Sequence, residues 1–320
     1  FEIRELADLM QIPVITTMMG ISVFPDDDQF FCGMIGTHGV KMANAAVNEC
    51  DVLFLVGARV GDRAVKTPLA LEKTTKIIHI DIDPAEIGKN IGADLPLVGD
   101  AKLVLQQMTE LAKPMKHDEW IAHIKTLGGE RKYVEPAKGT VNPRVFIDRL
   151  AKKMPANVTV VADVGQNQIW TCTEYKFRKE GRLLTSGGMG TMGYSVPAAI
   201  GAKMADNSRA TVAICGDGAF QMSFMELATA VQFGVDIKVV VMTNNRLGMV
   251  RELQTNGYHD RQTAVFLDGS PDFIKLAEAY GIPAMRVYDD DTMDKGVEML
   301  AEHKGICLVE VVVDKDMPTL

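Results

Sequence analysis

Ala210-Thr-Val-Ala-Ile-Cys-Gly-Asp-Gly218 and Ile237-Lys-Val-Val-Val-Met-Thr-Asn-Asn245 decide the fold. Each is a short run rich in β-branched residues that stops in a polar turn, as buried strands of a parallel sheet do. A helical pattern near Met225–Phe233 separates them, so the pair reads as a βαβ unit. A right-handed crossover then leaves Asp217 and Asn244 at the same edge of the sheet, on strands that are candidates for neighbours. A carboxylate and an amide oxygen there suit Mg²⁺, a hard ion that takes oxygen ligands and keeps phosphate oxygens and water. The glycines beside Asp217 let the backbone approach a diphosphate closely. Either piece alone is an ordinary turn. Both together, each behind a strand and in this order, carry the argument.

The same rhythm extends outward. Upstream, an opening amphipathic helix leads to strand candidates at Pro13–Thr17, Val52–Val56 and Lys76–Ile82, with helices at Val40–Cys50 and Ala101–Ala112. From Lys113 to Asn142 the pattern loosens around prolines and glycines, with one helix expected near Asp118–Thr126. Asn142-Pro143 is a helix start signal. Beyond it come further strands at Val158–Ala162 and Ile306–Val313, with helices near Tyr194–Ala205, Asp272–Tyr280 and Thr292–His303. The expected fold class is α/β, two doubly wound parallel-sheet domains: residues 1–112, a connection at 113–141, and residues 142–320. Gly33, Gly36 and Gly39 around His38 precede a helix, where free backbone N–H groups would meet phosphate oxygens.

Composition narrows the function classes. The 320 residues carry 34 Lys+Arg against 42 Asp+Glu, 34 − 42 = −8, with no basic tract, which argues against nucleic acid and anionic membrane as partners. No apolar run approaches the roughly 18 residues of a membrane helix. Cys32, Cys50, Cys172, Cys215 and Cys307 are widely spaced, without a CxxC pair, and read as reduced thiols of a cytoplasmic or organellar protein. The six histidines lack metal-ligand spacing, and neither a Gly-x-Ser-x-Gly elbow nor a P-loop is present. Gly188-Met-Gly-Thr-Met-Gly193 fits GxGxxG, but its preceding strand is weak and no ribose-binding acid is clearly placed, which disfavours a dinucleotide site. The chain opens without an initiator Met and inside a helix, so a fragment of a longer polypeptide is expected.

Asp217 and Asn244, 27 residues apart, together with Ser186–Tyr194, Gly216–Met222 and Gly248-Met-Val-Arg251, resemble the catalytic subunit of the acetolactate (acetohydroxyacid) synthase family, which uses thiamine diphosphate. Thr16–Gly20, Gly33–Gly39, Gly57-Ala-Arg59 and Ile80–Gly88 are similar to that family's central, flavin-binding domain. The resemblance runs in order along nearly the whole chain. It implies that Asp217, Asn244 and the carbonyl of Arg246 bind Mg²⁺. It also implies that Gln166, Asn167 (where a His is frequent), Gly216, Gly218, Ala219, Leu247 and Gly248 surround the cofactor. Gly190 would accept a hydrogen bond from the aminopyrimidine, Met192 would wedge between the cofactor rings, and Met249 and Val250 would line the reaction pocket.

For FAD the resemblance implies Thr17, Met18, Ile35, Gly36, Thr37, His38, Gly57, Ala58, Arg59, Val60, Gly61, Asp81, Ile82, Asp100 and Ala101, with Arg59 the main cation. Val60 and Gly61 depart from the usual Phe-Asp. The implied reaction is decarboxylation of pyruvate and condensation of the two-carbon unit with pyruvate or 2-ketobutyrate, for branched-chain amino-acid synthesis. Implied partners are 2-keto acids, a second copy of the chain in a dimer or tetramer with the site at the interface, and a small regulatory subunit. The activating glutamate of the family lies on a domain not represented here, so the 320 residues alone are expected to bind cofactor weakly and not to turn over. Leu253 stands where the family often has a tunnel-lining Trp. Alternatives are a glyoxylate carboligase, a catabolic acetolactate synthase, or a non-catalytic assembly module.

Overall fold

The computed structural model describes residues 2–129, 133–178 and 180–320. The chain divides into two units, residues 1–131 and 132–320, each built on parallel strands.

The first unit runs α1 (Glu2–Met10), β1 (Val14–Thr16), β2 (Phe31–Met34), α2 (Lys41–Glu49), β3 (Val52–Val56), α3 (Pro68–Leu71), β4 (Lys76–Asp81), β5 (Leu95–Val98), α4 (Ala101–Leu111) and α5 (Asp118–Thr126). β1 pairs with β2, and β3, β4 and β5 form a separate sheet in that order. Alternation along β4 sets the packing. Ile77 joins Val47, Leu55, Val60, Leu71 and Ile91, whereas Ile80 joins Leu6 and Leu105. Ile124 of α5 packs with Cys32 and Ala46. The helix expected within residues 113–141 therefore docks on the first unit, and residues 130–132 of that connection lie outside the described ones.

The second unit continues with α6 (Pro143–Lys153), β6 (Thr159–Ala162), α7 (Gln166–Glu174), β7 (Arg182–Thr185), α8 (Ser195–Ala205), β8 (Thr211–Gly216), α9 (Asp217–Phe220), α10 (Leu227–Gln232), β9 (Lys238–Thr243), α11 (Gly248–Gly257), α12 (Phe273–Ala279), β10 (Ala284–Val287), α13 (Asp290–Glu302) and β11 (Cys307–Val312). Its six strands are all parallel, in the order β10-β11-β9-β8-β6-β7. β8 and β9 are direct neighbours, with Gly216 opposite Met242, so the two strands expected to present Asp217 and Asn244 end side by side. The order reverses between β6 and β8, and ligands of doubly wound sheets bind outside such a switch point. The core beneath is apolar and closed: Val161, Val196, Ala213, Cys215, Phe220, Leu227, Val239, Val241 and Phe273 are buried together. The start signal at Asn142 works as a cap, its side chain accepting from the N–H groups of Arg144 (2.9 Å) and Val145 (3.4 Å).

The five cysteines are unbridged, and burial pushes the thiols of Cys32 and Cys307 up to about 11. Among the described residues no helix is long and apolar enough to cross a membrane.

Candidate cofactor site

A cleft lies over the carboxyl ends of β6, β8 and β9. It is lined by Val164, Gly165, Gln166, Asn167, Trp170, Met192, Gly216, Asp217, Gly218, Ala219, Met242, Asn244, Arg246, Leu247, Gly248, Met249 and Val250. Every residue expected around the diphosphate and the reaction pocket from sequence is in this group except Gly190. Gly190 lies in the turn between β7 and α8, its N–H donating to Ser186 O (3.0 Å). Leu253 is exposed one turn further along α11, outside the lining.

Asp217 is the electrostatic centre. Its side chain is 2% exposed, and among the described residues it has no cationic partner. Oδ1 accepts from Gly218 N (2.8 Å), and Oδ2 accepts from Asn245 N (2.6 Å) and Asn244 N (3.1 Å). Burial outweighs these three donors and pushes the carboxyl up to about 6. Asn244 is oriented by its neighbours: its Nδ2 donates to Gln166 Oε1 (3.2 Å), and its Oδ1 accepts from Arg246 N (3.0 Å). Among the described residues no hydrogen bond reaches the Arg246 carbonyl. A buried carboxylate without a counter-ion, an oriented amide oxygen and an unengaged carbonyl form an all-oxygen donor set that fits a hard divalent cation. Among the described residues no three His, Cys, Asp or Glu side chains come together so as to hold a metal ion, so coordination there would be completed by ligand oxygens and water.

Gln166 has a second duty. Its Nε2 donates to Met317 O (2.9 Å), Thr319 Oγ1 (3.1 Å) and Glu252 Oε2 (3.3 Å). Thr319 N and Oγ1 both donate to Glu252, and Trp170 Nε1 donates to Pro318 O (3.1 Å). The segment after β11 is thus tied to the same amide that orients Asn244. A Cβ at Gly248 would fall 2.5 Å from the Gln166 Cδ, so a larger residue there would push the Gln166 amide off its partners. Asn167 is spent on the sheet, its Nδ2 donating to Asp163 O (2.8 Å) and Ile214 O (3.2 Å). Its oxygen is what remains for the cleft.

Sequence reasoning passed over Asp163. This fully buried carboxylate follows β6 as Asp217 follows β8, and that parallel was the available signal. Its Oδ1 accepts from Val164 N (2.9 Å) and Gly193 N (3.0 Å), and its Oδ2 from Ser195 N (2.8 Å). It thereby fixes the turn that carries Met192 into the cleft.

In the first unit the residues expected around a flavin follow strand ends: Thr17 and Met18 follow β1, and Ile35–His38 follow β2. Gly57–Gly61 follow β3, Asp81 and Ile82 close β4, and Asp100 and Ala101 follow β5. One expectation needs correction. The glycine-loop amides are not free, because Gly36 N donates to Asn44 Oδ1 (3.0 Å), Thr37 N to Arg63 O and Gly39 N to Gly36 O (2.9 Å each). The Val60 side chain is buried with Val47, Leu55, Leu71, Ile77 and Ile91. Asp100 caps α4 by accepting from Leu103 N (3.1 Å). Arg59 is exposed, with no ion-pair partner among the described residues.

Residues 163–311 match the family described as thiamine pyrophosphate enzyme, C-terminal TPP binding domain, and residues 1–108 match thiamine pyrophosphate enzyme, central domain. The chain belongs to the thiamine pyrophosphate enzymes. Among relatives of this thiamine pyrophosphate enzyme, a probable acetolactate synthase large subunit of Methanocaldococcus jannaschii is 40% identical, covering 98% of this chain and 55% of the relative. The acetolactate synthase large subunit of Lactococcus lactis is 36% identical (98% and 54%), and an acetolactate synthase of Mycobacterium bovis is 38% identical (98% and 52%). The chain spans about half the length of the curated relatives it matches.

Proposed function

We propose that the protein is the large subunit of an acetolactate synthase. It decarboxylates pyruvate and joins the two-carbon unit to a second 2-keto acid, giving 2-acetolactate from pyruvate or 2-aceto-2-hydroxybutyrate from 2-ketobutyrate. The observation that carries the reading is the convergence of Asp217, Asn244 and the Arg246 carbonyl at adjacent strand ends, in a chain similar to acetolactate synthases over 98% of its length. Thiamine diphosphate, when bound, supplies the carbanion and the electron sink that an α-keto acid needs to lose carbon dioxide.

The chain's own residues do the rest. Asp217, Asn244 and the Arg246 carbonyl would hold Mg²⁺ beside the diphosphate. Glycines 216, 218 and 248 keep side chains out of its way. Met192, Met249 and Val250 give the reacting end an apolar wall that excludes water. In the first unit, FAD would lie along the strand ends with Arg59 as its cation, and Thr37 and His38 would contribute side chains and not loop amides. The unbridged cysteines fit a reducing compartment, the cytoplasm or an organelle. The relatives are named large subunits, and a smaller regulatory subunit and a homo-oligomer are proposed on that ground.

The decisive experiment supplies the whole protein with pyruvate, Mg²⁺ and thiamine diphosphate and measures acetolactate. Release of acetaldehyde without acetolactate would move the assignment to a decarboxylase. Acceptor choice is expected to follow Leu253. Leu253→Trp should raise the ratio of 2-ketobutyrate-derived to pyruvate-derived product about tenfold, the low end of what one apolar contact discriminates. An unchanged ratio in a competition assay refutes this.

A further inference from the structure

We propose that Phe266 and Asp268 are positioning residues for the cation site: by holding the Arg246 side chain they hold the Arg246 carbonyl at the place where Mg²⁺ would use it. The inference rests on the thiamine-diphosphate reading above. Neither residue lines the cleft. Both lie on the loop before α12, which runs antiparallel to residues 245–247, with Leu247 N donating to Val265 O (2.9 Å) and Leu267 N to Asn245 O (3.0 Å). These two bonds flank Arg246 and leave its own carbonyl without a partner.

The side chain completes the brace. Its guanidinium carbon sits 4.7 Å from the centroid of the Phe266 ring. Its Nη1 donates to Asp268 Oδ1 (2.7 Å) and returns to Asn245 O (2.7 Å). Asn245 has a φ of +53°, in the left-handed region that Asn tolerates better than most residues. Two donors on the Asn245 carbonyl and Asp217 on its N–H hold it there. The Arg246 side chain is 15% exposed while that of Asp268 is 75% exposed, so the carboxylate itself stays in water and the organised cation carries the geometry. A planar group that stacks on the Phe266 ring while Nη1 donates at its edge is required, which lysine does not supply.

Titrating Mg²⁺ into the whole protein with thiamine diphosphate present, and following the melting midpoint, tests this. Asp268→Asn and Phe266→Leu are each expected to raise the half-saturating Mg²⁺ about threefold to tenfold. The cofactor-free midpoint should stay within about 2 °C, as for other surface changes. Arg246→Ala should shift Mg²⁺ as much or more, Arg246→Lys should not rescue it, and Asp268→Asn should add nothing to Arg246→Ala. Half-saturation within about twofold of wild type, additivity with Arg246→Ala, or a lowered midpoint at unchanged Mg²⁺ affinity would each overturn the proposal. Absence of any Mg²⁺ response in the wild-type protein would instead overturn the cofactor reading itself.

Discussion

Asp217→Asn is expected to abolish Mg²⁺-dependent stabilisation and to lower acetolactate formation by at least about 100-fold, since loss of a direct ligand exceeds the 10- to 100-fold typical of outer-shell changes. The pH dependence separates this from a general structural effect. The Asp217 carboxyl stands at about 6 in the folded protein against an ordinary 3.8. About two pH units at 1.36 kcal/mol each means that the ionised, cation-free site costs ~3 kcal/mol at pH 7.5. Because the folded value is raised, stability is complete below the ordinary value and is lost as pH rises through 6. The cofactor-free wild type should therefore melt lower at pH 7.5 than at pH 5 on account of Asp217, and Asp217→Asn should flatten that slope. Protons and Mg²⁺ compete for the same oxygens, so half-saturating Mg²⁺ should rise toward tenfold per unit below pH 6. Melting curves at several pH values and Mg²⁺ concentrations check all three. Persistence of the Mg²⁺ response in Asp217→Asn would refute the assignment.

Asp163→Ala should be the most destabilising single change at the site. It strips the acceptor from three backbone N–H groups, those of Val164, Gly193 and Ser195, in a fully buried position. Breaking a buried charged network in this way costs about 3–5 kcal/mol. For a unit the size of residues 132–320 that lowers the melting midpoint by about 10 °C. Asp163→Asn keeps one acceptor oxygen and should lose less. Thiamine diphosphate affinity should fall in both, because the turn that carries Met192 is no longer pinned. A midpoint for Asp163→Ala within about 2 °C of wild type would remove Asp163 from the design of the site.

The strands that matter were legible because each is wholly buried. Thr211–Cys215 and Lys238–Thr243 are uninterrupted stretches with both faces covered, and a parallel sheet leaves that mark in sequence. The α6 start was legible because its cap is a local hydrogen bond. Other elements depend on contacts that no local pattern records. Helix α7, Gln-Asn-Gln-Ile-Trp-Thr-Cys-Thr-Glu, is buried on every side, so it has no polar face and no 3.6-residue period. Strand β5 contains Pro96, which an edge position tolerates. Strands β2 and β10 are only four residues long and are defined by their partners. The site followed the same division. The residues directly behind β8 and β9 could be read, whereas Asp163, the Gln166 links to residues 317 and 319, and the brace of Phe266 and Asp268 are side-chain encounters across long stretches of chain.

The amide of Gln166 joins residues made far apart in time. Its nitrogen is held by the segment after β11 and its oxygen by Asn244, so the cation donors reach their final orientation only when residues 317–319 have docked. A chain emerging from the ribosome passes through Asp217, Asn244 and Arg246 well before that segment exists. Competence to take up the cofactor then follows the making of residues 317–319. A nascent chain with its switch point already folded should be kept from closing on a diphosphate ligand until those residues have docked.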